Sequence, residues 1–259
     1  MSVGIIYFFI IVFANTIGAV SGMGGGVLIK PMLDLIHVHP VAAISFYSSV
    51  AVLTMSFVST YRQVKNGIEV KWPFAIRLSL GAVLGGLLGN YLFEWILKLY
   101  PEGREVQLIQ IILTVITLLL SIIHSYGVVK NHQYHGKLLT FISGLVLGFL
   151  ASLLGIGGGP INVALLMFLF DIPIKRATVY SIITILFSQL TKVTSIFIVS
   201  DITRFDLAIL YYIIPAAIIG GLLGAFISKK ASDKSVNVLY QAVIILVLLL
   251  NIYNGLKLI

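Results

Sequence analysis

Cysteine is absent from this chain of 259 residues, which excludes disulfides, thiolate metal sites and sulfur-relay chemistry. Charge is scarce: 10% of the residues are Asp, Glu, Lys or Arg, against 59% hydrophobic, and mean hydropathy is +1.09. That composition excludes a soluble globular domain and a disordered chain. The five histidines, His37, His39, His124, His132 and His135, fall in loops and read as interfacial residues. No His-Glu-x-x-His or comparable ligand spacing occurs, so no metal or other cofactor is expected. A Ser-His-Asp set, a paired acid site and a nucleotide motif are also missing, so the chain does not read as an enzyme.

What the chain does have is apolar length. Runs of about 20 apolar residues recur throughout, as membrane spans require. The first, Ile5 to Val20, has no basic flank and merges into a glycine motif, so it reads as a permanent helix rather than a cleaved signal. Net charge is +8, but the cations are scattered over short loops. That pattern serves membrane topology and does not point to nucleic acid.

Glycine is concentrated where a spanning helix would tolerate it least. Gly22-Met23-Gly24-Gly25-Gly26 returns as Gly155-Ile156-Gly157-Gly158-Gly159. Each glycine costs a helix about 1 kcal/mol relative to Ala. Broken backbone at membrane depth persists only where protein buries it or where it lines a polar cavity. The alternative is that these glycines only allow close helix packing. Packing is the better reading for Gly85, Gly86, Gly89 and for Gly220, Gly221, Gly224, which lie inside otherwise unbroken helices.

The glycine motifs belong to an internal repeat. A shift of 133 residues places Leu33 on Leu166, Pro40 on Pro173, Tyr47 on Tyr180 and Ser48 on Ser181. The later block from Gly85 matches that from Gly220 at a shift of 135. The chain therefore divides into a membrane repeat over 1–130 and a second over 131–259. Each half reads as five apolar segments. The first has Val3–Val20, Val27–Ile36, Val41–Tyr61, Trp72–Leu97 and Val106–Val128. The second has Leu138–Leu154, Ile161–Phe170, Lys175–Ser200, Phe205–Ser228 and Val236–Leu258. The second segment of each half has about ten residues and covers about 15 Å as a helix, half a bilayer.

The first two segments of each half could form one broken span or a re-entrant hairpin. With hairpins, one side collects Arg62, Lys65, Lys71, Lys130, Lys137, Lys175, Arg176, Lys229, Lys230 and Lys234, ten in all. The other side holds four: Lys98, Arg104, Arg204 and Lys257. With broken spans the same charges divide seven and seven. The preference for Lys and Arg on the cytoplasmic side favours hairpins, two inverted repeats, and both termini extracytoplasmic. The expected fold is an all-α polytopic membrane protein. Each repeat holds a Gly-broken re-entrant helix pair and three transmembrane helices. Inverted repeats bring broken segments together near the midplane. Their helix N-termini, with unpaired N–H groups and positive dipole ends, suit an anion.

The candidate binding residues follow. Gly22, Gly24, Gly25 and Gly26 in one loop, with Gly155, Gly157, Gly158 and Gly159 in the other, would offer backbone N–H groups. Lys192 lies deep in its segment, beside a polar face of Ser181, Thr184, Ser188, Thr191 and Ser195, with Gln189 nearby. It reads as part of a lined pathway, or as a lysine that snorkels to the interface. Ser48 lies on the corresponding polar face of the first half. Tyr47 and Tyr180 could donate to an oxyanion or make structural bonds. Lys30 and Asp34, four apart, read as a local ion pair, or as positive potential with a proton-linked acid. Asn162 beside the second motif is a further candidate.

Gly-x-Gly-Gly-Gly, a short helix, a proline and a second copy half a chain later resemble the sulfite exporter TauE/SafE family of membrane permeases. The first copy continues Val27-Leu28-Ile29-Lys30-Pro31; the second moves the proline forward to Pro160. The resemblance covers essentially the whole chain. It implies a secondary transporter of sulfur-containing anions such as sulfite or sulfonates, acting outward across the bacterial inner membrane. An anion channel with the same filter, or a membrane subunit that only binds partners, are the alternatives. The partners so implied are a small anion and the lipid bilayer; proton coupling and a homodimer are compatible with it. The duplication also suggests the thiosulfate transporters, but their mechanism uses cysteines and does not carry over.

Overall fold

The computed structural model describes residues 3–126, 131–134, 136–199 and 202–258. Val128, Lys130, His135 and Ser200, used above, lie outside the described residues. Ten α-helices and two 3-10 turns are present, with no strand among the described residues. The first half holds α1 (Val3–Ser21), α2 (Gly26–Ile36), α3 (Val41–Lys65), α4 (Trp72–Leu99) and α5 (Arg104–Ser125). The second holds α6 (Lys137–Leu154), α7 (Pro160–Phe170), α8 (Ile174–Val199), α9 (Leu210–Lys230) and α10 (Asp233–Leu258). Eight are long and apolar enough to cross a membrane; α2 and α7, of 11 residues each, are not. The apolar segments become helices within a few residues of their expected ends. The exception is α9, which starts late because Ile202–Arg204 and Leu207–Ile209 wind into 3-10 turns. Asp206 caps the second turn, its Oδ1 accepting from the Ala208 N–H at 2.9 Å.

The end of each short helix lies near the start of the helix before it. The Tyr7 hydroxyl, near the start of α1, hydrogen-bonds His39 Nδ1, just beyond α2, at 2.8 Å. In the second half the N–H groups of His132 and Tyr134, before α6, donate to the carbonyls of Phe168 and Leu169 at the end of α7 (2.7 and 3.0 Å). Each short helix stops at a residue in the left-handed region, His37 (φ 54°) and Asp171 (φ 48°). A left-handed residue is a common helix stop, and Pro40 or Pro173 follows shortly after.

The halves are interleaved. Helix α4 packs on α6, and α1 packs on α9, so the first helix of each half lies against the fourth of the other. Small residues make these contacts close. A Cβ on Gly81, Gly85 or Gly89 would fall on the carbonyl oxygen of Phe141, Leu145 or Phe149. Across the same seam, Gly144 and Gly148 meet the carbonyls of Leu78 and Ala82. Gly220 and Gly224 repeat the pattern against Val12, Asn15, Thr16 and Ala19 of α1. Lipid tails give little hydrophobic drive to helix association, so close van der Waals packing of small residues takes its place. The packing expected of Gly85, Gly89, Gly220 and Gly224 is what they do.

Helices α3 and α8 pack against each other at the centre and run antiparallel. The Tyr47 hydroxyl, near the start of α3, both donates to the Asp206 carbonyl and accepts from the Asp206 N–H, beyond the end of α8 (3.1 Å each). The Tyr180 hydroxyl, near the start of α8, accepts from the Lys71 N–H, beyond the end of α3, at 2.9 Å. The outer surface is apolar: Phe9, Leu80, Tyr91, Leu120, Leu138, Tyr211 and Leu249 are exposed. Trp72 and Trp95 are exposed at opposite ends of α4, as interface anchors are.

Candidate functional site

The two glycine loops meet. The Gly159 N–H donates to the Met23 carbonyl at 2.9 Å. A Cβ on Gly24 would stand 3.3 Å from the Gly157 carbonyl oxygen, and one on Gly26 would fall on that of Ile156. Gly22, Gly24, Gly155, Gly157, Gly158 and Gly159 all have positive φ, between 67° and 129°. At Gly158 φ is 129°, a conformation essentially reserved for glycine. Gly25 is right-handed (φ −66°) and precedes α2; glycine is needed there because a Cβ would collide with the Asn15 side chain.

Helices α3 and α8 grip this pair of loops with equivalent residues. Val52 of α3 lies against Gly157, and Ile185 of α8 against Gly24 and Gly158. Ser181 Oγ donates to the Gly22 carbonyl at 2.5 Å. Ser48, its repeat partner, has its hydroxyl 2.9 Å from where a Gly26 Cβ would stand, and that hydroxyl is buried without a hydrogen bond.

Other buried polar groups here also lack partners. Asn162, in the first turn of α7, is fully buried and neither its amide nitrogen nor its oxygen is bonded. Its Nδ2 would lie 2.5 Å from a Cβ on Gly158, so the amide is folded back over the loop. Gln189 is fully buried and equally unbonded. It stands one turn beyond Ile185, on the stripe that faces the loops.

Lys192 continues that stripe. It is fully buried, so it does not snorkel. Its ammonium donates to Ser45 Oγ at 2.8 Å and to the Ser152 carbonyl at 2.9 Å, with Nζ 5.1 Å from the centre of the Phe93 ring. Among the described residues no acidic side chain pairs with it. The Ser45 hydroxyl also occupies the place a Gly155 Cβ would take, so one hydroxyl bridges Lys192 and the second loop. Lys30 differs: it is paired with Asp34 at 2.8 Å, both residues 3% exposed. The pair removes the net charge, although Asp34 Oδ1 is left without a partner.

The structure thus brings together both glycine loops, Ser48, Ser181, Asn162, Gln189 and Lys192. Tyr47 and Tyr180 are elsewhere, their hydroxyls committed to the linkers before α9 and α4. Of their two readings, the structural bond is the one made. Three residues at the site were not among the sequence candidates. Asn15 donates to the Ala51 carbonyl at 3.2 Å and leaves Oδ1 unbonded against Gly25; an amide in mid-span of α1 was its signal. Ser45 belonged to the polar face of α3 without being singled out. Ser152 contributes its carbonyl, which side-chain identity does not reveal.

Comparison with known proteins agrees with this architecture. The family described as Sulfite exporter TauE/SafE matches residues 7–253. The probable membrane transporter protein YunE of Bacillus subtilis is 28% identical over 270 aligned residues, covering 93% of this chain and 94% of that protein. The probable membrane transporter protein MJ0441 of Methanocaldococcus jannaschii is 26% identical over 246, covering 88% and 87%. No solved structure matches. A family match over nearly the whole chain, on a bundle of apolar helices built around paired glycine loops, identifies the chain as a membrane transporter of the sulfite exporter TauE/SafE family.

Proposed function

We propose that the protein exports a small sulfur-containing anion, sulfite or a sulfonate, across a bacterial inner membrane by alternating access between two inverted repeats. The observation that carries this reading is the meeting of the two glycine loops among buried polar groups that lack partners. An unsatisfied buried polar group costs about 1–3 kcal/mol. A ligand bonding Ser48, Asn162 and Gln189 recovers part of that cost. Gly26 and Val27 at the start of α2, and Ile161 at the start of α7 after Pro160, which has no N–H, precede the first intrahelical bonds and lie at the positive ends of the helix dipoles. Lys192 adds a buried amine that, among the described residues, forms no ion pair with an acid. Each of these features favours a negative ligand.

The inverted arrangement is supported by the antiparallel α3 and α8 and by the exchange of first and fourth helices between halves. The re-entrant hairpins are supported by the return of α2 to Tyr7 and of α7 to residues 132–134. In this reading the loops are entered from opposite sides of the membrane and meet near its midplane. A carrier fits better than an open filter, because the loops touch each other and the side chains around them are fully buried.

The test is flux in proteoliposomes against sulfite, sulfate, thiosulfate and sulfonates. Gly158→Ala meets a forbidden φ and Gly25→Ala meets Asn15. Both variants are expected to remain folded, by thermal unfolding in detergent, and to lose transport. Normal flux in both would sink the site assignment. Turnover far above carrier rates, with no counter-substrate or proton dependence, would replace the carrier with a channel.

A further inference from the structure

A second basic site lies outside the glycine loops. A cavity of about 810 Å³ opens between the start of α4, the start of α6, the end of α7 and the start of α8. Its size is that of a ligand pocket. Lys71, Arg77, Lys137 and Arg176 line it, with the rings of Trp72, Phe74 and Phe170 among its apolar wall. Arg176 is paired at the rim with Glu69 at 3.1 Å. Asp171, the one acid in the lining, is held by two amides, from Asn131 Nδ2 (3.0 Å) and Gln133 Nε2 (2.9 Å). Those bonds, Gln133 first and then Asn131, lower its pKa, so it stays ionised and occupied. Among the described residues no acid pairs with Lys71, Arg77 or Lys137, and Arg77 Nε is buried without a hydrogen bond.

The inner end of this cavity reaches Tyr180, which packs edge-on against Phe74 (4.9 Å between centroids). The next residue along α8 is Ser181, whose hydroxyl holds the Gly22 carbonyl. The first two turns of α8 therefore carry both a wall of this cavity, at Tyr180, and a contact to the first glycine loop, at Ser181. At the other end of the molecule Tyr47 is the repeat counterpart of Tyr180. Phe205 stacks on Phe46 at 4.4 Å, and the Tyr47 hydroxyl is bonded twice to Asp206.

We infer that this cavity is a capture site for the transported anion, in series with the glycine loops, and that it selects anions carrying an apolar body. The inference rests on the transport reading above. The charged head pairs with Arg77 and Lys137, and the hydrocarbon lies on Trp72, Phe74 and Phe170. With four cations against the single acid Asp171 in its lining, the cavity is net positive, and a cleft with an excess of one sign raises the local concentration of its counter-ion and its on-rate, with steep dependence on salt. The glycine loops set whether the anion crosses; the cavity sets how readily it arrives from this side.

Trp72 is a reporter within the cavity, and Trp95→Phe leaves it as the sole tryptophan. Butanesulfonate is expected to shift its fluorescence saturably, more tightly than sulfite and more weakly at high salt. Arg77→Gln and the exposed Lys137→Gln should each weaken that response by on the order of tenfold. Gly158→Ala should leave the response intact while transport is lost, which separates failure of this site from failure of the transport site. Three results overturn the inference: no saturable response, a response unchanged in both charge variants, or charge variants that act only in vesicles containing anionic lipid. The last would make the cavity a headgroup site.

Discussion

At the scale of single residues, Lys192 separates a structural from a transport role most sharply. Its ammonium has two oxygen acceptors and a ring, all of which a folded core could use. If its role were structural, removing it would cost stability. Yet an uncompensated buried charge is itself costly, and its removal strands only neutral acceptors, the Ser45 hydroxyl and the Ser152 carbonyl. Lys192→Met is therefore expected to keep or raise the unfolding temperature. It should weaken anion binding by about 1.5–3 kcal/mol, the worth of a hydrogen bond to a charged group. That is roughly ten- to more than a hundredfold in affinity. A variant that binds anion normally but unfolds early would return Lys192 to a structural role. Polar residues at membrane depth stood out in the sequence, so Lys192, Gln189 and Asn162 were legible. Their state of bonding was legible only where the partner is local: the i,i+4 spacing already paired Lys30 with Asp34, whereas only three-dimensional contacts show that Lys192 bonds Ser45 and Ser152 and, among the described residues, forms no ion pair.

At the scale of helices, the sequence read well because each signal was local. Apolar length gave the spans, the glycine breaks gave two short helices, and Pro40 and Pro173 followed their ends. The start of α9 was misjudged because an apolar run does not distinguish 3-10 turns capped by Asp206 from α-helix. Which helix lies against which was not legible either, since the exchange of first and fourth helices depends on contacts far apart in sequence, as between Gly81 and Phe141 and between Gly224 and Thr16. The glycine seams give a direct test. A Cβ on Gly85 falls on the Leu145 carbonyl, whereas one on Gly67 meets nothing within 4 Å. Gly67 has φ +81°, so Gly67→Ala should cost about 1 kcal/mol through backbone strain alone. Gly85→Val should cost more, about 1–3 kcal/mol or beyond for overpacking, because backbone cannot move aside as a side chain tip can. Thermal unfolding and monodispersity in detergent check the order. Equal losses at the two positions would mean that the α4–α6 seam is looser than its contacts imply.

At the scale of the whole molecule, the question is whether equivalent parts of the two halves face opposite sides of the membrane. The loop charges favour that arrangement, and the antiparallel α3 and α8 agree with it, since each helix starts where its counterpart ends. The absence of cysteine makes the point measurable, because any introduced thiol is the sole target of a maleimide. Gly67 lies between α3 and α4, and Leu207 lies in the matching linker between α8 and α9; both are exposed. With inverted hairpins the first faces the cytoplasm and the second the exterior. With broken spans the two loops face the same side, whichever side that is. An impermeant maleimide on intact cells should therefore label Leu207→Cys at once and Gly67→Cys only after permeabilisation. Like labelling of the two would remove the inverted repeat. The glycine loops would then be entered from one side, and alternating access would need a different moving part.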